Sequence, residues 1–198
     1  MQFTVKTSEL KALLITSAKK DIRSYLNGIY FESTTSGIVA VSTDGHRLLA
    51  LQVLNDEGWQ DLSVIIPREA IEKAVKTKAV SVIVTLDADR FTLDDGTQSI
   101  GGLVCDGRFP DWRRVIPTSV SGEASSFQND YLADFDKIAR LLCGGNCKVM
   151  QNGTSGALIR FATDQAVGVV MPLRTQEYDP VPPAFTQAAK TESTKQAA

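Results

Sequence analysis

FTVKTSELKALLITSA (3–18) runs from a short apolar strand straight into an amphipathic helix, and the chain repeats this arrangement twice, as VIIPREAIEKAVK (64–76) and FQNDYLADFDKIARLL (127–142). With Val5, Ile66 and Gln128 taken as equivalent, the steps are 61 and 62 residues. Each unit is expected to close on a hairpin whose turn carries an Asp: Asp44 in STDGHR, Asp95 in LDDGTQ and Asp164 in ATDQAV. Self-similarity at a fixed period marks one supersecondary unit copied several times, none able to bury its apolar faces alone. Three is an odd set. If units pair into domains, one is left without a partner in its own chain.

The first helix, 8–18, sets Leu10, Leu13, Leu14 and Ser17 on one stripe, the spacing of a half-buried helix. Thr7 or Ser8 is placed to cap it, because a side-chain oxygen there accepts from an orphan backbone N–H. Strands are expected at 28–32, 37–42 and 47–53. The second helix opens on Pro67, where a missing N–H costs nothing, and strands at 80–86, 90–93 and 99–104 follow. Asp-Gly at 44–45 and 95–96 reads as tight hairpin turns, since Gly supplies the positive φ they need. The third helix puts Leu132, Phe135, Ile138, Ala139 and Leu142 on one face and stops at Gly144-Gly145-Asn146; strands at 148–151, 157–161 and 167–171 complete the unit. Between units two and three, DGRFPDWRRVIP (106–117) reads as extended, and 118–125 as a Ser-rich connector. Beyond Arg174, prolines at 180, 182 and 183 lead into TQAAKTESTKQAA, which cannot build a core and is expected to be disordered.

The hydrophobic content of 43% suffices for a real core and the 22% of charged residues is ordinary for a globular chain. No apolar stretch has the length to cross a bilayer, and MQFTVKTSEL lacks the regions of a signal peptide. Three cysteines, Cys105, Cys143 and Cys147, form an odd set that suits reduced thiols, so a cytoplasmic location is expected. A formal net charge of −2 excludes a surface that grips nucleic acid as a whole, but 8–23 and 68–78 each carry a local +2, leaving −6 for the rest.

Catalytic chemistry has little to work with. His46 is the sole histidine, on a hairpin turn, with no nucleophile elbow or similar motif in the chain. The cysteines supply at most three thiolates without the paired spacing of a structural zinc site. The glycines form neither a Walker loop nor a dinucleotide fingerprint. The expectation is a protein that holds things: no enzyme, no cofactor, no metal.

Three separated segments stand out together: STDGHRLL (42–49), FPDWRRVIP (109–117) and VVMPLR (169–174). As a set they resemble the bacterial DNA polymerase III beta sliding clamp family, whose middle domain has a TDGHRLA turn and a GRFPDYRRVxP linker and whose chains end in MPMRL. IRSYLNG (22–28) is similar to the family's DVRYYLNG, and IIPR (65–68) to its IVPRK. The resemblance covers residues 3–117 and 126–174. It implies an α+β, DNA-clamp-like fold of three strand-helix-strand units: a complete clamp-like domain (1–117), a connector (118–125), a clamp-like half domain (126–174) and a tail (175–198). The family's first domain, and the first half of its last, have no counterpart in this sequence.

The resemblance also implies a function. Family members dock short linear peptides of the polymerase, the clamp loader and repair proteins into a pocket between the middle and last domains. Its wall here would be Leu26, Thr43, Gly45, His46, Arg47, Leu48, Pro110, Val115, Val169, Met171, Pro172 and Leu173. An apolar cleft with a few orienting polar groups suits Leu and Phe anchors. Weak contacts to double-stranded DNA phosphates would fall to Lys19, Lys20, Arg23, Lys73 and Lys76. The apolar stripe of the third helix needs a cover. Either two chains each contribute a lone half to build one domain, giving a homo-oligomer (a dimer or tetramer), or the half packs on the first domain of its own chain. Two functions follow: a shortened, non-enzymatic clamp that encircles DNA and tethers a polymerase, or a ring-incompetent module that captures clamp-binding peptides.

Overall fold

Helices begin at Thr7, Arg68 and Asn129, two equal steps of 61 residues. Phe127, rather than Gln128, therefore stands in the place of Val5 and Ile66, two residues ahead of each helix. The computed structural model describes residues 1–54 and 61–174; the tail expected to be disordered, 175–198, lies outside them. Unit one is β1 (Gln2–Lys6), α1 (Thr7–Thr16), β2 (Gly28–Thr34), β3 (Gly37–Thr43) and β4 (Arg47–Leu54). Unit two is β5 (Ser63–Pro67), α2 (Arg68–Ala74), β6 (Ser81–Asp87), β7 (Arg90–Asp94) and β8 (Ser99–Leu103). Unit three is α3 (Asn129–Cys143), β9 (Cys147–Met150), β10 (Ala157–Phe161) and β11 (Thr163–Val170).

Two antiparallel sheets hold these strands, one ordered β1-β6-β7-β8 and the other β5-β2-β3-β4-β11-β10-β9. β4 and β11 are the joint of the seven-stranded sheet, with Leu48 opposite Val169 and Ala50 opposite Val167. The third unit thus extends the sheet of the first within a single chain. Its helix is covered in the same way: α3 packs beside α1, and Phe135 and Ile138 are fully buried in one chain. Of the two covers considered for that stripe, packing on the first domain is the one found for these two residues; Leu132 and Leu142 stay half-buried.

Helix ends are set by the side chains available. α1 begins one residue early, after Lys6, whose backbone N–H donates to Glu9 Oε2 at 3.0 Å; neither Thr7 nor Ser8 caps it. Thr7 instead bonds the Ala79 carbonyl through its hydroxyl. α1 stops at Thr16, short of 18, and Arg68 on α2 serves its end: one guanidinium nitrogen donates to the carbonyls of Leu14 (2.6 Å) and Ser17 (2.8 Å). A cation at a helix C-terminus satisfies orphan carbonyls and suits the helix dipole. Pro67 ends β5 and caps α2, so helical geometry starts at Arg68.

Three further expectations are corrected. No strand forms at Phe127, although β1 and β5 form at the equivalent places. The third hairpin turns at Ala162, and Asp164 lies inside β11, which runs from Thr163 to Val170. The 106–117 run carries a single 3₁₀ turn, Trp112–Val115, that two aromatic side chains press onto the sheet. Phe109 stacks on Tyr30 with ring centres 4.7 Å apart, and Trp112 donates from its indole N–H to Glu32 Oε1 at 3.2 Å. This strap closes a second apolar cluster on the outer face, with Val41, Leu48, Ala50, Ile65 and Val169. The main core lies on the other face, where the three helices meet both sheets.

Candidate peptide-binding site

The β3–β4 turn is built from its own sequence. Asp44 Oδ1 accepts from the backbone N–H groups of His46 (2.9 Å) and Arg47 (3.0 Å), and Gly45 adopts a φ of +92°, which a side chain would strain. The turn sits beside the third unit's exit, because the Met171 N–H donates to the His46 carbonyl at 2.8 Å. Arg47 ties the two together. Its guanidinium pairs with Asp44 and with Asp134 of α3, donates to the Ile15 carbonyl of α1, and lies 4.5 Å from the centre of the Tyr131 ring.

Where this turn, the strap and the β4–β11 joint converge, a cleft of about 160 Å³ opens. Leu48 and Val169 form its floor, both nearly fully buried. Leu26, Thr43, Gly45, His46, Arg47, Pro110, Val115 and Met171 complete the expected part of its wall. Met171 and Val115 are 42% and 47% exposed, so apolar surface is offered at the rim. Burying such surface, at roughly 25 cal/mol per Å², is the driving force available to an apolar ligand.

Two expected residues lie elsewhere. Pro172 and Leu173 line a separate groove with Glu123, Ser126 and Gly153; Met171 borders both cavities. The chain turns away after Met171 because the Leu173 N–H donates to the Ser126 carbonyl at 2.7 Å. Four lining residues were not foreseen: Arg23, Phe109, Asp111 and Trp112. The two aromatics belong to the 109–117 run that stood out in the sequence, of which Pro110 and Val115 alone were expected on the wall. Their signal was composition, since Phe109 and Trp112, on either side of Pro110, are large aromatic side chains that must find cover.

These features have known relatives. The family model for the central domain of the DNA polymerase III beta subunit matches residues 4–111. The chain belongs to the DNA polymerase III beta subunit family. A beta sliding clamp of Vibrio cholerae is 29% identical over 128 residues, covering 61% of this chain and 35% of the relative. One from Caulobacter vibrioides is 29% identical over 153 residues, covering 71% of this chain and 41% of the relative. The chain thus spans about two-fifths or less of the length of these curated relatives. Among solved structures, the beta subunit of Pseudomonas aeruginosa superposes with a TM-score of 0.71 at 22% identity, over 88% of this chain and 67% of that one. A Caulobacter crescentus beta sliding clamp gives a TM-score of 0.70 at 21% identity, over 88% and 65%. The α+β fold is that of the family's clamps.

The five cations expected at DNA fall in two groups. Lys19, Lys20, Lys73 and Lys76 are exposed and make no ion pair among the described residues. Arg23 lines the cleft instead, its guanidinium held by Asp21 at 2.8 Å, and that contact lowers the Asp21 carboxyl to about 2. Burial pushes the Cys105 and Cys147 thiols up, with Asp106 adding to the first and Asp136 to the second, so both stay protonated near neutrality. Among the described residues no helix is long and apolar enough to cross a membrane, and no group of three His, Cys, Asp or Glu side chains is placed to share a metal.

Burial pushes the Asp134 carboxyl up, but hydrogen bonds from Lys137 and Arg47 outweigh it and leave it below the usual range. A carboxylate whose folded value is depressed stabilises the fold above its unfolded pKa, near 3.9, and loses that contribution as pH falls through the folded value. Stability is therefore expected to drop below about pH 4, and less steeply in Asp134→Asn. Thermal melting against pH checks this; equal slopes for the two proteins would remove Asp134 from the titration.

Proposed function

We propose that the chain is a non-enzymatic, clamp-like processivity factor of DNA replication in the cytoplasm. Its cleft takes the short linear motifs of a DNA polymerase and of a clamp loader, and as an oligomer the protein encircles double-stranded DNA. The observation that carries this reading is the cleft itself. Three segments far apart in sequence converge on one apolar floor whose rim holds Arg23, His46 and Arg47. Such a surface suits a peptide that inserts Leu or Phe side chains while its polar groups meet the rim. Met171 adds a deformable wall for partners of differing sequence. Of the five cations expected at DNA, Lys19, Lys20, Lys73 and Lys76 are exposed and make no ion pair among the described residues, so they are the ones this reading offers to phosphates. Few such contacts give weak, strongly salt-dependent binding, which suits a protein that slides.

A fluorescent peptide with Leu and Phe anchors, titrated by anisotropy, tests the cleft. Met171→Ala is expected to weaken binding by roughly 5–30-fold, the range of a rim anchor worth about 1–2 kcal/mol. An unchanged affinity would empty the site of its meaning. Encirclement is tested apart from this, by retention on circular DNA and loss from the same DNA once linearised. Equal loss from both would leave peptide capture without a ring.

A further inference from the structure

Where the chain leaves β11, two large apolar side chains lack full cover: Met171 is 42% exposed and Leu173 47%. This exit is held on both sides. The Met171 N–H donates to the His46 carbonyl of the β3–β4 turn, and the Leu173 N–H to the Ser126 carbonyl of the connector. Between exit and connector lies the second groove, of about 730 Å³, a size within the range of ligand sites. Its far wall is fixed in place. Ser125 donates from its N–H to Gln151 Oε1 and from its hydroxyl to the Gly153 carbonyl, and the Gly153 N–H donates to the Glu123 carbonyl. Met171 belongs to this groove and to the cleft alike, so the wall they share is apolar and open.

The chain continues past Arg174, which itself lines the groove, as TQEYDPVPPAF (175–185). A segment that builds no core of its own can still order on a surface. Tyr178, Val181 and Phe185 are the apolar side chains that a site walled by Met and Leu receives. Pro180, Pro182 and Pro183 fix φ at three of four successive positions, so less chain entropy is lost on docking. Glu177 and Asp179 place two negative charges beside Tyr178. The rim of the cleft answers with Arg23, whose side chain is 47% exposed and whose guanidinium bonds Asp21 alone among the described residues. Reach is ample. Met171 stands three residues before Arg174, within about 11 Å, and residues 175–185 span up to roughly 34 Å at the rise of a proline-rich chain. Beyond Phe185, TQAAKTESTKQAA holds no large apolar side chain, which confines the fit to 176–185.

We propose that residues 176–185 dock back onto their own chain, Tyr178 and Phe185 covering Met171 and entering the cleft, so that the tail competes with the peptides the cleft receives. This rests on the cleft being a peptide site and adds that its first occupant is the protein itself. A tethered competitor acts at an effective concentration of about millimolar, so even weak docking closes a sizeable fraction of the molecules. A partner then binds with an apparent affinity lowered by the fraction that is open.

The full chain tests this, wild type against the double variant Tyr178→Ala/Phe185→Ala, whose changes lie outside the described core. A labelled peptide with Leu and Phe anchors is titrated by anisotropy. Hydrogen exchange without peptide is followed at 44–48 and 169–174 over several protein concentrations. The double variant is expected to bind the peptide roughly 2–10-fold more tightly, as release from such a tether predicts. It should also exchange faster in both segments, by the same amount at every concentration. Equal affinities with equal exchange, while Met171→Ala still weakens the peptide, would overturn the tail contact and leave the role of the cleft standing. Faster exchange without tighter binding would overturn the competition. No peptide binding by either protein would remove both readings. Protection that grows with concentration would put the tail of another molecule there and defeat the intramolecular contact.

Discussion

Arg47→Met is expected to lower the stability of the fold by about 3 kcal/mol, the lower end of the cost of breaking a buried ion pair. The Arg47 side chain is 11% exposed and its partner Asp134 only 22%, so neither carboxylate nor carbonyl recovers full hydration once the guanidinium is gone. Asp134 keeps Lys137 alone, and the Ile15 carbonyl in the last turn of α1 loses its donor. Unlike most side-chain changes, this one removes a tie among three elements: the β3–β4 turn, α1 and α3. Urea denaturation measures the loss, and hydrogen exchange should show β11 opening before β2 and β3 do. Arg160→Met is the control, because Asp164 is 99% exposed and such a pair contributes about 0–1 kcal/mol. Similar losses in the two variants would deny Arg47 its special place.

Phe135→Ala should cost about 3–5 kcal/mol, the usual range for deleting a fully buried aromatic ring. The ring fills space that a glycine leaves open: a Cβ built on Gly168 of β11 would stand 2.6 Å from Phe135 Cε1. Gly168→Ala is accordingly expected to cost about 1–3 kcal/mol by overpacking. The two changes occupy the same volume, so the double variant should be more stable than the sum of the single losses predicts. Strict additivity in denaturation experiments would mean that ring and strand do not share that space.

The period of the chain was plain in the sequence because it is local: an apolar strand, a capping region and a helical stripe within some 15 residues. It slipped by one place in the third unit. There Gln128 was matched to Val5 and Ile66, although the apolar residue in that position is Phe127, and the strand that would have revealed the register does not form. Which strands become neighbours was out of reach. β4 meets β11 across more than a hundred residues, and no short pattern encodes that pairing. The cleft was legible where a turn or a strand end carries its own chemistry, as at Asp44, Gly45 and Met171. In the 109–117 run it was legible at Pro110 and Val115 but not at Phe109 and Trp112, whose cover is the sheet beneath them. Pro172 and Leu173 were lost for a similar reason: a hydrogen bond to Ser126, remote in sequence, sends the chain into another groove.

The floor of the cleft, Leu48 facing Val169, is also the line along which the third unit is fastened to the first. Any guest that settles there bridges both sides of the joint, so occupancy and cohesion become one linked equilibrium. If a peptide binds there as proposed, it would act as a clasp, and loosening the fastening along β11 is expected to weaken the hold on it.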